Sequence, residues 1–260
     1  MPSDNFIKYQ QLREHHPEFI YESFELHIES DQILIEFTFK LDHKAVFKPS
    51  LIIPVTDHFV SENLSVDKLN SFAFHIGMIE MISYWKTACS PKIIVKPYVL
   101  DQWQIDWWKK LYYHGLGEFF YQNGITAEME DFVEIFSEGE PLPGKAEIYM
   151  RPTTIVPVGG GKDSVVTLEM LKDHKKLIPF ALNPRKAIWD TIFNAGFNES
   201  ETVVVNRKLD PELLVLNDEG YLNGHTPFSA LLAFVCGMTA VLTGSTEITL
   251  SNESSANEAT

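Results

Sequence analysis

The stretch Thr153-Thr-Ile-Val-Pro-Val-Gly-Gly-Gly-Lys-Asp-Ser-Val-Val-Thr-Leu168 constrains the fold more than any other part of the chain. Its apolar run, Ile155 to Val158, has the length and β-branched content of a short buried strand. Val165, Leu168, Met170 and Leu171 then recur at helical spacing, opposite Glu169, Lys172 and Asp173. A strand that empties into glycines and opens a helix aims backbone N–H groups and a helix N-terminus at an anion. Glycines 159–161 carry no Cβ, so the loop can take left-handed angles and let a phosphate approach closely. Ser164 offers a hydroxyl, Lys162 a charge, and Asp163 a carboxylate able to organise Mg²⁺ or the loop itself.

Two familiar phosphate loops are excluded by position. The Walker pattern requires glycine where Val156 stands and Ser or Thr where Asp163 stands. The dinucleotide fingerprint requires Gly or Ala at Ser164 and an acidic residue about 20 positions on, where the chain has Leu182-Asn183-Pro184. The segment resembles instead the pyrophosphate loop of the N-type ATP pyrophosphatases, Ser-Gly-Gly-x-Asp-Ser. Gly160, Gly161, Asp163 and Ser164 match it, and Gly159 replaces its first serine.

After this loop, strands are predicted at Ile155–Val158, Ile178–Leu182, Thr202–Val205 and Glu247–Leu250. Helices are predicted at Ser164–His174, Arg185–Ala195 and Thr226–Thr243. This rhythm implies βα units and a parallel sheet with helices on both faces. Ligands of such sheets bind beyond the carboxyl ends of strands where strand order reverses. The segments to watch are the glycine loop, Asn183-Pro184, Asn206-Arg207-Lys208 and Ser251 to Glu258. Before the last long helix stands Asn223-Gly224-His225-Thr226-Pro227, with Thr226 placed as an N-cap and Pro227 at the first helical position.

Upstream, Phe24–Leu41 alternates as a β-hairpin turning at Ser30-Asp31. Phe47–Val55 is predicted as a third strand whose prolines, Pro49 and Pro54, confine it to an edge or mark its ends. A helix is expected from Ser65 to about Cys89, a short strand at Ile93–Val95, and an aromatic helix capped by Asp101. That helix carries Trp103, Trp107, Trp108, Leu111, Tyr112, Phe119, Phe120 and Tyr121, expected to form a core face against the hairpin sheet rather than a stacking platform. Thr126–Glu138 is predicted as an acidic amphipathic helix, and Glu140–Gly144 as a linker. The fold class expected is α/β: a parallel doubly wound sheet, like the adenine nucleotide α-hydrolases, over residues 145–260, preceded by a smaller α+β domain over 1–144.

Composition limits the partners. The chain has 260 residues, 45% hydrophobic, with net charge −15. Residues 151–260 hold nine Lys/Arg and thirteen Asp/Glu, which leaves twelve of 21 and twenty-three of 36 for residues 1–150. So acidic a surface argues against nucleic acid, which wants clustered cations. Cys89 and Cys236 sit in apolar helical patterns without zinc spacing, as reduced core residues of a cytoplasmic protein. The start has no signal-peptide core, and Phe228 to Leu242 is too short and interrupted to span a bilayer.

Gly-Gly-Gly-Lys-Asp-Ser, Leu-Asn-Pro, Leu222-Asn-Gly-His-Thr-Pro-Phe-Ser-Ala230 and Leu250-Ser-Asn-Glu-Ser-Ser-Ala-Asn-Glu258 occur here in that order. With them residues 150–260 resemble the UDP-N-acetyl-α-D-muramoyl-L-alanyl-L-glutamate epimerases, a bacterial peptidoglycan-precursor branch of the ATP pyrophosphatase fold. The family has a basic residue where Ser254 stands and glycine where Ala259 stands. Its chains continue well past residue 260, so the resemblance implies a fragment. It further implies an isomerase that inverts the terminal glutamate of a UDP-muramoyl dipeptide, consuming ATP with Mg²⁺ and releasing AMP and pyrophosphate. On this resemblance Gly159, Gly160, Gly161, Lys162, Asp163 and Ser164 hold the phosphates, with Asp163 on the metal and Asn183 near the adenosine. Asn223, Gly224, Ser251 and Asn252 are assigned to the substrate, Arg207 to a carboxylate or phosphate, and His225 and Glu253 to proton transfer. The alternatives are another adenylating enzyme of this fold, ligase or RNA-modifying, and a nucleotide-binding module without turnover.

Overall fold

The computed structural model describes residues 4–251. In chain order its first half holds α1 (Asp4–His15), β1 (Glu18–Ile28), β2 (Gln32–Leu41), β3 (Ala45–Phe47), β4 (Ser50–Pro54), α2 (Val66–Glu80) and α3 (Ile82–Trp85). β5 (Lys92–Val95), β6 (Tyr98–Val99), α4 (Gln102–Gly115), α5 (Gly117–Gln122), β7 (Glu134–Ser137) and β8 (Glu140–Pro141) follow. The second half holds β9 (Arg151–Pro157), α6 (Lys162–Leu171), β10 (Leu177–Leu182), α7 (Lys186–Asn194), β11 (Val203–Lys208), α8 (Glu212–Asp218), α9 (Phe228–Thr243) and β12 (Ser245–Ile248).

The expected hairpin is present: β1 and β2 pair antiparallel from Phe19↔Leu41 to Ile28↔Ile33. The third strand divides into β3 and β4, both paired with β2. Pro54 closes β4 at its end, as a residue without an N–H donor must. Ser65 caps α2 by accepting a bond from the Lys68 amide, and Asp101 forms a capping box with Gln104 on α4.

β12, β9, β10 and β11 lie side by side and parallel, in that order. Odd and even residues of these strands feed two different cores. Val156, Val158 and Ala181 pack with Leu168 of α6 and Ile192 of α7. Ile155, Phe180, Val203 and Val205 join Leu231, Val235 and Met238 of α9. Helices thus cover opposite faces of this block.

The sheet as a whole is mixed, which corrects the expectation of a parallel sheet standing alone. Val203 to Val205 pair parallel with β10, while Asn206, Arg207 and Lys208 continue the same strand antiparallel to β4. The Asn206–Lys208 segment read as a loop is therefore strand. Through β4 the parallel block is joined to β2, β1, β5 and β7 in one ten-stranded sheet, with β3 beside β2. The second core also runs from Phe19 and Phe39 to Cys236 and Leu242 without a break at residue 144.

Other local expectations also give way. Residues 134–137 form β7, parallel to β5, instead of the end of an acidic helix, because the ladder partner supplied by β5 outweighs a weak local helical pattern. The aromatic helix also packs on other helices: Trp108 stacks against Phe234 of α9 at 5.1 Å, and Tyr112 donates to the Met78 carbonyl of α2. Trp103 and Tyr121 stay outside, 72% and 87% exposed. Cys89 and Cys236 are buried and unpaired, and burial pushes both thiols up. Among the described residues, no helix is long and apolar enough to cross a membrane.

Candidate functional site

Within the four parallel strands, chain order reverses at β9, which has β10 on one side and β12 on the other. The glycine loop leaves the carboxyl end of β9 at this reversal, where open α/β sheets bind ligands. Gly160 has φ +77, and a Cβ there would stand 3.1 Å from the backbone of Ala187 and Ile188. Only glycine lets this loop lie against the start of α7. A Cβ on Gly159 or Gly161 would meet nothing within 4 Å, so open space borders the loop on either side of Gly160.

Two clefts adjoin at the loop and share Pro157, Gly159 and Leu232. One, of about 320 Å³, has apolar walls from Phe180, Ile188 and Phe228, with Asn183, Arg185 and Arg207 at its margin. The other, of about 330 Å³, is lined by Gly161, Asp163, Ser164, Ser229 and Ser251. Three helices begin on these linings. α6, α7 and α9 all start without a side-chain cap, unlike α2 and α4. The first amides of a helix have no intrahelical acceptor and carry the positive end of its dipole. Three such ends around one pair of clefts make a field suited to a polyanion. The Thr226 cap is not formed: the helix begins one residue after Pro227, and the Phe228 amide donates to the Thr226 carbonyl at 2.6 Å.

Ser164 is buried and donates from Oγ to the Gly161 carbonyl at 2.9 Å, which fixes the loop while leaving its oxygen lone pairs as acceptors. Lys162 opens α6 at the surface, and Asp163 follows half-buried on the cleft wall. One carboxylate beside a phosphate-sized recess matches what Mg²⁺ asks of a protein, namely one or two carboxylates plus substrate phosphates. Among the described residues, the His and Glu groups close enough together to share an ion on their own are Glu25, His27 and Glu36, all exposed on the hairpin. Ser251 lines the second cleft, with its Oγ 2.7 Å from Thr167 Oγ1. Asn252 and Glu253 lie outside the described residues.

Asn183 is a left-handed residue, φ +47, a conformation Asn tolerates better than most side chains. Its amide N–H donates to Val205, its Oδ1 accepts from the Arg207 amide at 2.7 Å, and its Nδ2 donates to the Arg207 carbonyl at 2.9 Å. The side chain thus adds one rung to the β10–β11 ladder. It forms the cleft margin, with its amide committed to the backbone.

Arg207 is committed as well. Its Nε and Nη2 reach the two Glu80 carboxylate oxygens at 2.8 and 2.9 Å, and Nη2 also donates to Ser83 Oγ at 2.8 Å. Glu80 is 1% exposed, so this is a buried, bidentate pair that ties the end of α2 to β11. The carboxylate expected opposite Arg207 is thus the protein's own.

The Asn223–His225 segment is held elsewhere. Asn123 Nδ2 donates to the Asn223 carbonyl at 3.0 Å, Lys86 Nζ donates to the Gly224 carbonyl, and His225 Nδ1 lies 2.8 Å from Glu118 of α5. Among the described residues, none of these three lines either cleft. Lys86 is 7% exposed, and burial, reinforced by the Arg207 guanidinium, lowers its pKa to about 8. Because the folded pKa is depressed, the unfolded chain binds more protons between about pH 8 and the normal lysine range. Stability owed to Lys86 therefore rises with pH through that window. Lys86→Met is expected to remove this increment: the stability advantage of the variant below pH 8 should shrink toward pH 10 in paired urea titrations. An unchanged difference across that range would place the ammonium in solvent.

Sequence reasoning missed Arg185, Phe228 and Ser229. Arg185 stands three residues after the carboxyl end of β10, close to the position that drew attention to Asn183, and could have been found by the same rule.

A family model described as the MurL N-terminal domain matches residues 10–260. Three curated relatives are each named UDP-N-acetyl-alpha-D-muramoyl-L-alanyl-L-glutamate epimerase. The protein from Salinispora tropica is 34% identical over 185 residues, covering 70% of this chain and 39% of its own. That from Xanthomonas oryzae pv. oryzae is 30% identical over 187 residues, and that from a Micromonospora species 31% over 188, each covering 70% of this chain and 40% of its own. The chain thus spans about 40% of the length of the curated relatives it matches. No solved structure matches significantly.

Proposed function

The chain belongs to the MurL N-terminal domain family, and we propose that it is the nucleotide-binding part of an ATP-dependent epimerase acting on the terminal L-glutamate of UDP-N-acetylmuramoyl-L-Ala-L-Glu. The observation that carries the reading is the pair of clefts meeting at Gly159, one mainly apolar and one polar, with three uncapped helix starts on their linings. The apolar cleft suits a base and sugar. The polar one suits a pyrophosphate tail.

The chemistry needs such a device. A glutamate α-proton beside a free carboxylate is very weakly acidic, because the carbanion would form next to an anion. When a carboxylate oxygen bonds to the α-phosphorus of ATP, the bond from that phosphorus to the bridging oxygen breaks and pyrophosphate leaves with the electron pair. The resulting acyl group is neutral, so its α-proton can be removed to an enolate and returned from the other face. Hydrolysis then yields AMP and the D product.

In this reading residues 159–164 and the start of α6 cradle the departing pyrophosphate through backbone amides, as anion sites at helix N-termini do. Ser164 keeps the loop in that shape through its bond to Gly161. Asp163 would hold Mg²⁺, which supplies positive charge against the phosphates. Ser251 closes the polar cleft beside Thr167. For proton transfer His225 stays the candidate, although it stands outside both clefts with its Nδ1 beside Glu118.

The test is to incubate the chain with ATP, Mg²⁺ and the UDP-muramoyl dipeptide and to follow pyrophosphate. Release that depends on the dipeptide is the expected result. ATP bound without release would favour a nucleotide-binding module, and no ATP binding at all would remove the nucleotide reading.

A further inference from the structure

Two arginines line the apolar cleft, and their surroundings differ. The charge of Arg207 is answered by the buried Glu80 carboxylate. Arg185 has no ion-pair partner among the described residues, although Lys186 beside it is paired with Asp190. Arg185 is also the residue from which α7 starts, and the start of α7 is the surface on which Gly160 rests. An unneutralised guanidinium therefore stands where an uncapped helix end and the glycine loop come together.

We infer that Arg185 is the counter-charge for the α-phosphate of the bound nucleotide. The inference rests on the proposed ATP site and adds a residue and a phosphate to it. With the base in the apolar cleft and the β- and γ-phosphates in the polar one, the α-phosphate falls at the shared wall of Pro157, Gly159 and Leu232. Arg185 is the cation on the base side of that wall. Its planar fork suits two phosphate oxygens at once. During adenylation the carboxylate oxygen bonds to the α-phosphorus while the bond to the bridging oxygen breaks. Negative charge gathers on the non-bridging oxygens, where Arg185 stabilises it without giving up a proton.

The experiment measures adenosine, AMP, ATP and pyrophosphate binding to the wild type, Arg185→Gln, Arg185→Lys and the neighbouring Lys186→Gln by calorimetry with Mg²⁺. Arg185→Gln should weaken AMP and ATP by roughly 10- to 100-fold. It should leave adenosine and pyrophosphate within about twofold. Arg185→Lys should recover part of the loss, and Lys186→Gln should behave as wild type. Equal weakening of adenosine would make Arg185 a wall of the base pocket and overturn the assignment. So would weakening of pyrophosphate with AMP unchanged. If the wild type binds ATP and AMP but Arg185→Gln binds them equally well, only this inference falls. If the wild type binds none of the four probes, the nucleotide reading falls with it.

Discussion

Glu80→Ala is expected to destabilise the protein by about 3–5 kcal/mol, the range seen when one member of a buried ion pair is removed. Both Glu80 oxygens are used by Arg207, at 2.8 and 2.9 Å, and the carboxylate has almost no contact with water. Truncation strands a guanidinium whose side chain is 13% exposed in the intact protein, with the Ser83 hydroxyl still beside it. A hydroxyl cannot offset the desolvation of a full charge. The double variant Glu80→Ala/Arg207→Met should recover much of the loss, because it removes the stranded charge as well as the pair. Urea denaturation of the two single variants and the double gives the coupling. A loss below about 1 kcal/mol for Glu80→Ala would mean the pair behaves like a surface ion pair. The pair also joins the end of α2 to the strand bordering the apolar cleft, so Glu80→Ala should loosen that cleft in hydrogen exchange at Arg207 and Asn183.

Asp163→Ala should lower dipeptide-dependent pyrophosphate release by at least about 100-fold, the scale of losing one group that stabilises charge at a reacting centre. The residue is half-buried on the polar cleft, and no shift in stability beyond about 0.5 kcal/mol is expected from a carboxylate in the first turn of α6 that has no hydrogen-bond or ion-pair partner among the described residues. Asp163→Asn separates charge from shape: it keeps the size and should lose nearly as much, since a neutral amide holds Mg²⁺ poorly. Wild-type release in both variants would detach Asp163 from the reaction. Losses matched by unfolding in the same samples would make its role structural. Ser164→Ala should also lower release, by disturbing the Gly161 carbonyl to which the hydroxyl donates.

What could be read from the chain was whatever its neighbours within a few residues decide. Glycines 159–161 between an apolar run and a helical period are such a case: strand, loop and helix appear in the expected order, the strand beginning four residues earlier than expected and the helix two. The caps at Ser65 and Asp101 and the turn between β1 and β2 are others, since each is closed by bonds spanning three or four positions. The sequence also pointed to the carboxyl ends of the parallel strands, where the two clefts lie, because chain direction in βα units leaves little choice.

The pairing of distant segments could not be read in this way. Residues 134–137 had a weak helical pattern and became strand because β5 was there to pair with them. Asn206 to Lys208 became strand because β4 was, which turned two expected sheets into one. Glu80 and Arg207 are 127 positions apart, and nothing near either residue announces the other. Their meeting decides that Arg207 arrives at the cleft already neutralised and Arg185 does not. Local spacing fixes backbone conformation over a turn or two, whereas the charge a side chain presents depends on what the whole chain folds against it.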